Sequence, residues 1–195
     1  MAKSTRTTRM PKPIEMLIED HRKVQKMFKQ FEKLKSQDDG QSKRDLVEQT
    51  CAELKVHTTI EEEIVYPAAR EALDEGDLVA EALVEHASAK DLIAKLEGMD
   101  ADGEEYDATF TVLGEYVNHH IEEEQEEMFP KMKKAGLDWD GLAQQMQQRK
   151  QALQEEMGLG GAEDEQTEEE ENAAKPASRR AGHEAPRTRR PASGK

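Results

Sequence analysis

The sequence predicts an all-α chain: an antiparallel up-down four-helix bundle with a short extra C-terminal helix and a disordered tail. Three observations predict it. Apolar residues recur at spacings of three and four in four segments of about two dozen residues each. Glycines, prolines and paired acids separate these segments by short links, which favours antiparallel neighbours. Strand-like alternation is absent.

The first helix is expected after Pro13, running to about Ser36 through Ile14, Leu17, Val24, Phe28 and Phe31 before Asp38-Asp39-Gly40 ends it. The second spans about Gln41 to Tyr66 and stops at Pro67, with Val47, Cys51, Leu54 and Ile64 on one face. The third starts near Asp77 and carries Val79, Leu83, Ile93 and Leu96 before Gly98. The fourth runs from about Glu104 to Phe129, ahead of Pro130, through Phe110, Leu113, Val117, Ile121 and Met128. A shorter amphipathic stretch (Trp139, Leu142, Met146, Leu153) is expected to pack outside them. The organisation is thus a basic disordered N-terminus over 1–12, a bundle over 13–135, an accessory helix over 136–157, and a tail over 158–195. That tail is acidic from Glu163 to Glu171 and then basic. Its composition buries too little apolar surface to offset chain entropy.

Charge narrows the function classes. The net charge is −15, but residues 1–12 carry four bases and no acid, and residues 162–195 carry eight acids and seven bases. Residues 13–161 therefore hold −18, which repels nucleic acid and favours cations. No aromatic residue interleaves the bases beyond residue 140, so stacking on nucleic-acid bases is not expected. The basic ends are expected to serve, at most, a protein partner. Cys51 is the only cysteine, so no intrachain disulfide can form, and no stretch approaches 18 apolar residues. A soluble cytoplasmic protein without membrane contact is expected.

Four histidines change the picture. His21, His57, His86 and His120 each lie on the apolar seam of a different helix. If a seam takes two positions in seven, four independent histidines land there with a chance of about 1%. Glu61 and Glu124 follow His57 and His120 by four residues, which puts each pair on one helix face. Two such carboxylates buried without a counter-charge would cost several kcal/mol each, and the seams of these two helices carry no lysine or arginine. At about 1.5 Å per residue, all four imidazoles fall roughly 12–15 Å from one end of the bundle, in a single layer.

An internal repeat supports a two-fold site. HTTIEEEIVYP at 57–67 aligns with HIEEEQEEMFP at 120–130, and Asp20-His21 answers Glu85-His86. Each half supplies one histidine and then His-x-x-x-Glu. Imidazole with carboxylate and no thiolate suits a bridged pair of iron ions, with manganese second, and disfavours structural zinc. Glu61 and Glu124 would bridge, and two histidines would cap each ion.

These segments resemble the hemerythrin-like, or HHE cation-binding, family over residues about 13–135. The resemblance is carried by EDH at 19–21, HTTIEEEIVYP at 57–67, EH at 85–86 and HHIEEEQEEMFP at 119–130. It implies a non-haem di-iron bundle whose members bind dioxygen, sense oxygen or redox state, or handle iron. By motif match its ligands would be His21, His57, Glu61, His86, His120 and Glu124. There is one departure: oxygen-carrying hemerythrins have two histidines four apart on the third helix, whereas Ala82 and Lys90 flank His86 here. One ion is left short of a nitrogen ligand.

Some residues near the motif admit two roles. His119 and Glu123 also stand four apart, but alignment on Pro130 and the Leu113–Val117 seam selects His120. His119 is then a surface or supporting residue, and Tyr116, one turn before His120, could line a ligand pocket. Glu62, Glu63, Glu122, Glu123, Glu126 and Glu127 are expected largely on outward faces, and His183 in the solvated tail. Function divides three ways. A His-rich set favours a protein that binds or senses dioxygen or a similar small molecule. The alternative is a di-iron enzyme with peroxidase-, catalase- or ferroxidase-like activity, although Glu-x-x-His is missing because residues 54 and 117 are Leu and Val. A helical adaptor with incidental histidines is the third.

Overall fold

The computed structural model describes residues 10–35, 40–73, 76–101 and 103–159, and among these every regular element is helical. The expected disorder of residues 1–9 and 160–195, any partner contact through those tails, and the role of His183 lie outside the described residues.

The first helix, α1 (Lys12–Leu34), starts slightly before the predicted point. Pro13 sits in its opening turn, where the missing N–H was not needed. It buries Ile14, Leu17, His21, Val24, Phe28 and Phe31, the stripe the sequence predicts, with Met27 beside it. Helix α2 (Gly40–Ile60) buries Val47, Cys51, Leu54 and His57. Helix α4 (Gly76–Glu97) buries Val79, Ala82, His86, Ala89, Ile93 and Leu96. That unbroken alternation of three- and four-residue steps puts Ala82 on the seam, and Leu83, expected there, is only half-buried. Helix α5 (Glu104–Glu123) buries Phe110, Leu113, Val117, His120 and Ile121.

Two helix ends depart from expectation. Instead of stopping at Pro67 and Pro130, the chain enters π-helical turns over Glu61–Val65 and Glu124–Met128. It then continues as α3 (Tyr66–Ala72) and α6 (Phe129–Met132), with each proline in the first turn. The N–H of Tyr66 bonds the carbonyl of Glu61, and that of Phe129 the carbonyl of Glu124, each reaching back five residues. The ladder thereby slips by one residue just before a residue that has no N–H to give. The slip also turns the buried face: Val65, Tyr66 and Ala69 lie inside while Ile64 is half-buried, and Met128, Phe129 and Met132 repeat the arrangement.

Helix α1 packs against α2 and α5, α2 against α4, and α4 against α5. The accessory helix α7 (Trp139–Met157) lies against α1, α2 and the first π turn, burying Leu142, Ala143, Met146 and Leu153. Asp138 caps its start through the N–H of Gly141, and Gly158 ends it with φ of 71°, a left-handed conformation that suits glycine. Arg149 and Lys150 fasten it to Glu63 and Asp20. No helix among the described residues is long and apolar enough to cross a membrane.

Two apolar clusters fill the interior. One gathers Val24, Phe28, Phe31, Leu54, Ile93, Phe110 and Leu113; the other gathers Ile14, Leu17, Ile60, Tyr66, Val79, Phe129 and Met146. The buried histidines and glutamates lie on the same helices between these two sets.

Candidate metal centre

His21, His57, Glu61, His86, His120 and Glu124, brought from four helical runs, converge on one buried ring. Its two histidine pairs are His21–His57 and His86–His120, each with Nε2 atoms 3.1 Å apart. The glutamates close the ring. Glu61 Oε2 lies 3.1 Å from His57 Nε2 and 3.3 Å from His86 Nε2, and Glu124 Oε2 lies 3.2 Å from His21 Nε2 and 3.6 Å from His120 Nε2. Each carboxylate thus touches one histidine of each pair. Two ligands at right angles on one ion, each about 2.1 Å away, stand about 3.0 Å apart, so these separations match two adjoining coordination spheres.

The outward nitrogens explain why all four Nε2 atoms face in. His86 Nδ1 lies 2.9 Å from Glu62 and His120 Nδ1 2.7 Å from Glu85, both carboxylates that accept an Nδ1–H, whereas His21 Nδ1 accepts from the Gln125 amide nitrogen at 3.0 Å. His57 Nδ1 faces Asp20 at 3.8 Å, an ion-pair distance rather than a hydrogen bond. These supports obey the internal repeat. The residue before His21 serves His57, and the residue before His86 serves His120. The residue after Glu61 serves His86, and the residue after Glu124 serves His21. The carboxylate partners of His57, His86 and His120 favour the tautomer that leaves Nε2 free for a metal, and Gln125 fixes the orientation of the His21 ring.

The sequence profile of the hemerythrin HHE cation-binding domain matches residues 12–132. The chain belongs to that family. Neither a curated protein nor a solved structure gave a match.

The donors of this hemerythrin HHE domain fit a cation. Both oxygens of Glu61 and Oε2 of Glu124 are buried without a hydrogen-bond partner. With Nδ1–H directed outward on His86 and His120, their facing Nε2 lone pairs repel each other unless positive charge lies between them. In the metal-free protein protons supply it. Burial alone would strip His57 of its proton, but the Glu61 and Asp20 carboxylates outweigh it and hold its pKa well above the ordinary range. His86 is raised likewise, against burial, by Glu61 and Glu62. Burial would raise Glu61, yet the charges of His57 and His86 beside it hold it well below the usual carboxylate range. Asp20 is also lowered, the His57 and Lys150 charges overcoming its burial.

One donor of the HHE site went unassigned in the sequence. Tyr66 Oη lies 3.0 Å from Glu124 Oε1, 3.1 Å from His86 Nε2 and 3.4 Å from His120 Nε2. Burial, with the Glu61 and Glu124 charges, pushes its pKa well above the usual value near 10. The signal was in the repeat: Tyr66 and Phe129 occupy equivalent places, and only one has a hydroxyl. Phe129 instead stacks on His21, with ring centroids 6.0 Å apart. Asp20, Glu62, Glu85 and Gln125 were likewise visible only as neighbours of ligand positions. Glu62, expected on an outward face, is half-buried between His86 and Lys90. Glu63, Glu122, Glu126 and Glu127 are exposed.

Other candidates sit further out. His119 is exposed and pairs with Glu123 at 3.3 Å and Glu85 at 3.8 Å. Tyr116 is 51% exposed and lines the outer part of a cavity that reaches all four imidazoles. Where a second third-helix histidine could stand, Ala82 is buried and Lys90 is engaged with Glu62.

Proposed function

We propose that this domain is an antiparallel up-down four-helix bundle whose two iron ions bind or sense dioxygen or a molecule of similar size. His21 and His57 would hold one ion, His86 and His120 the other, and Glu61 and Glu124 would bridge them. The observation that carries the reading is the cavity beside the ring. It measures about 20 Å³ and is walled by Val24, Leu54, Ala89, Val117 and Ile121, with all four histidines at its inner face. Such a space holds little more than one water-sized molecule, which suits a diatomic ligand better than a bulky organic substrate.

The bound pair of ions would supply a centre able to exchange electrons with a small oxidant. The residues supply the rest. The outer partners of the four histidines keep each ring oriented, and the apolar walls keep bulk water from the ligand. An acidic surface, −18 over residues 13–161, favours loading of divalent cations.

The test is full-length protein loaded with Fe²⁺ without air and then exposed to dioxygen. The expected result is two irons per chain and a visible absorption that rises with dioxygen and fades under vacuum. Repeated turnover of peroxide, with no reversible spectrum, would instead assign a peroxidase- or catalase-like enzyme.

A further inference from the structure

Three acceptors crowd one hydroxyl at the centre of this protein. Tyr66 Oη stands within hydrogen-bond distance of Glu124 Oε1, His86 Nε2 and His120 Nε2. A phenol has one proton and can satisfy one of them; here it donates to Glu124. The Nδ1 atoms of His86 and His120 are already engaged with Glu62 and Glu85, so both Nε2 atoms are left to face the hydroxyl oxygen, where only a proton or a cation can lie between them. Four donor atoms converging on one point can all be satisfied at once by a single cation, which takes the place of the protons that separate them in the metal-free protein.

Packing does not require the hydroxyl. At the equivalent place in the other half of the repeat, Phe129 fills the same role with a bare ring, 1% exposed. At this place the two halves differ by one hydroxyl, and it lies on the His86–His120 side. Its separations from the neighbouring donors, 3.0, 3.1 and 3.4 Å, are those of adjacent ligands on a single ion.

We propose that Tyr66 is a further metal ligand, giving its phenolate oxygen to the ion held by His86 and His120. The inference rests on the two-iron reading above. It makes the two positions chemically distinct: one takes two nitrogens and a phenolate besides the bridging glutamates, and the other takes two nitrogens and faces the Phe129 ring. On loading, the Oη–H bond breaks as the oxygen binds the cation, and the proton passes to solvent. The phenolate occupies the place that the missing third-helix nitrogen leaves, and it favours the ferric state of that ion.

The test uses full-length protein loaded with Fe²⁺, counted by elemental analysis, and oxidised with ferricyanide under argon. Resonance Raman excitation in the visible band should show tyrosine ring modes, which shift when the protein is grown with ring-deuterated tyrosine. The variant Tyr66→Phe should keep two irons per chain and lose those modes and the band entirely, while Tyr106→Phe, buried among apolar side chains, should keep both. Two irons without tyrosine modes in the wild-type protein overturns the Tyr66 assignment and leaves the two-iron reading intact. Fewer than two irons overturns both. The isotope shift is measured on the unaltered protein, so a Tyr66→Phe chain that fails to fold leaves the answer unchanged.

Discussion

The change Glu61→Gln tests whether the ring is held by charge, and its effect on the metal-free protein should depend on pH. Glu61 is fully buried and neither of its oxygens has a hydrogen-bond partner. Its charge is the first of those that raise the His57 and His86 pKa values against burial, with Asp20 and Glu62 adding to it. A group with a raised pKa stabilises the fold fully below its unfolded value, here 6.5, and that contribution disappears as pH rises through the folded value. Glu61, with a lowered pKa, contributes fully above 4.5 and is lost as pH falls below it. The metal-free chain should therefore be most stable between about 4.5 and 6.5. Glutamine keeps the shape and removes the larger of the two charges that hold the His57 proton, leaving Asp20 alone against burial. The largest effect is that of a His57 held neutral in the folded variant. At pH 5, against an ordinary pKa of 6.5, that costs about 2 kcal/mol at about 1.4 kcal/mol per tenfold. At pH 8 the same histidine is neutral in the unfolded chain as well, and the cost vanishes; relief from burying a carboxylate then makes the variant as stable as the parent or more so. For a domain of this size, 2 kcal/mol is about 4–8 °C in Tm. Chelator-treated protein melted by circular dichroism at pH 5 and pH 8 should show the variant lower, by up to that amount, only at pH 5. Equal offsets at the two pH values would refute the argument.

Three further outcomes follow from the geometry. Removing the support of one ring by Glu85→Ala should weaken iron binding about 10–100-fold in a chelator competition, without abolishing it, because His120 then loses the partner of its Nδ1. The change Gly114→Ala should destabilise the fold by about 1 kcal/mol in urea melts, although alanine is the better helix former. The added Cβ would stand 2.9 Å from Phe28 Cδ1, and Phe110 blocks that ring from retreating. The Cys51 thiol, buried and pushed up to about 12, should ignore a disulfide reagent at pH 8 that titrates one thiol per chain after denaturation.

The positions of the six buried donors were legible because helical periodicity is a local property. Leu17 to His21 to Val24, or Leu54 to His57 to Glu61, can be placed on one face by counting. The pairing of histidines with their supports was not legible, since each support crosses between helices: Asp20 of α1 faces His57 of α2, and Glu85 of α4 faces His120 of α5. Tyr66 hid for a different reason. A straight α-helix through Pro67 would leave Ile64 inside and turn Tyr66 elsewhere; the π turn slips the backbone by one residue and sends the phenol into the ring.

By itself, then, the chain's order of residues determined an all-helical fold, its seams, the six donors that meet in the interior, and the family. Those features depend on spacing along one helix at a time, which 3.6 residues per turn makes readable. Only the tertiary structure decided which nitrogen of each imidazole faces inward, how Glu61 and Glu124 each join both histidine pairs, where the small apolar cavity opens, and that one half of the repeat brings a hydroxyl where the other brings a bare ring. Those depend on distances of about 3 Å between different helices, set by how the helices pack.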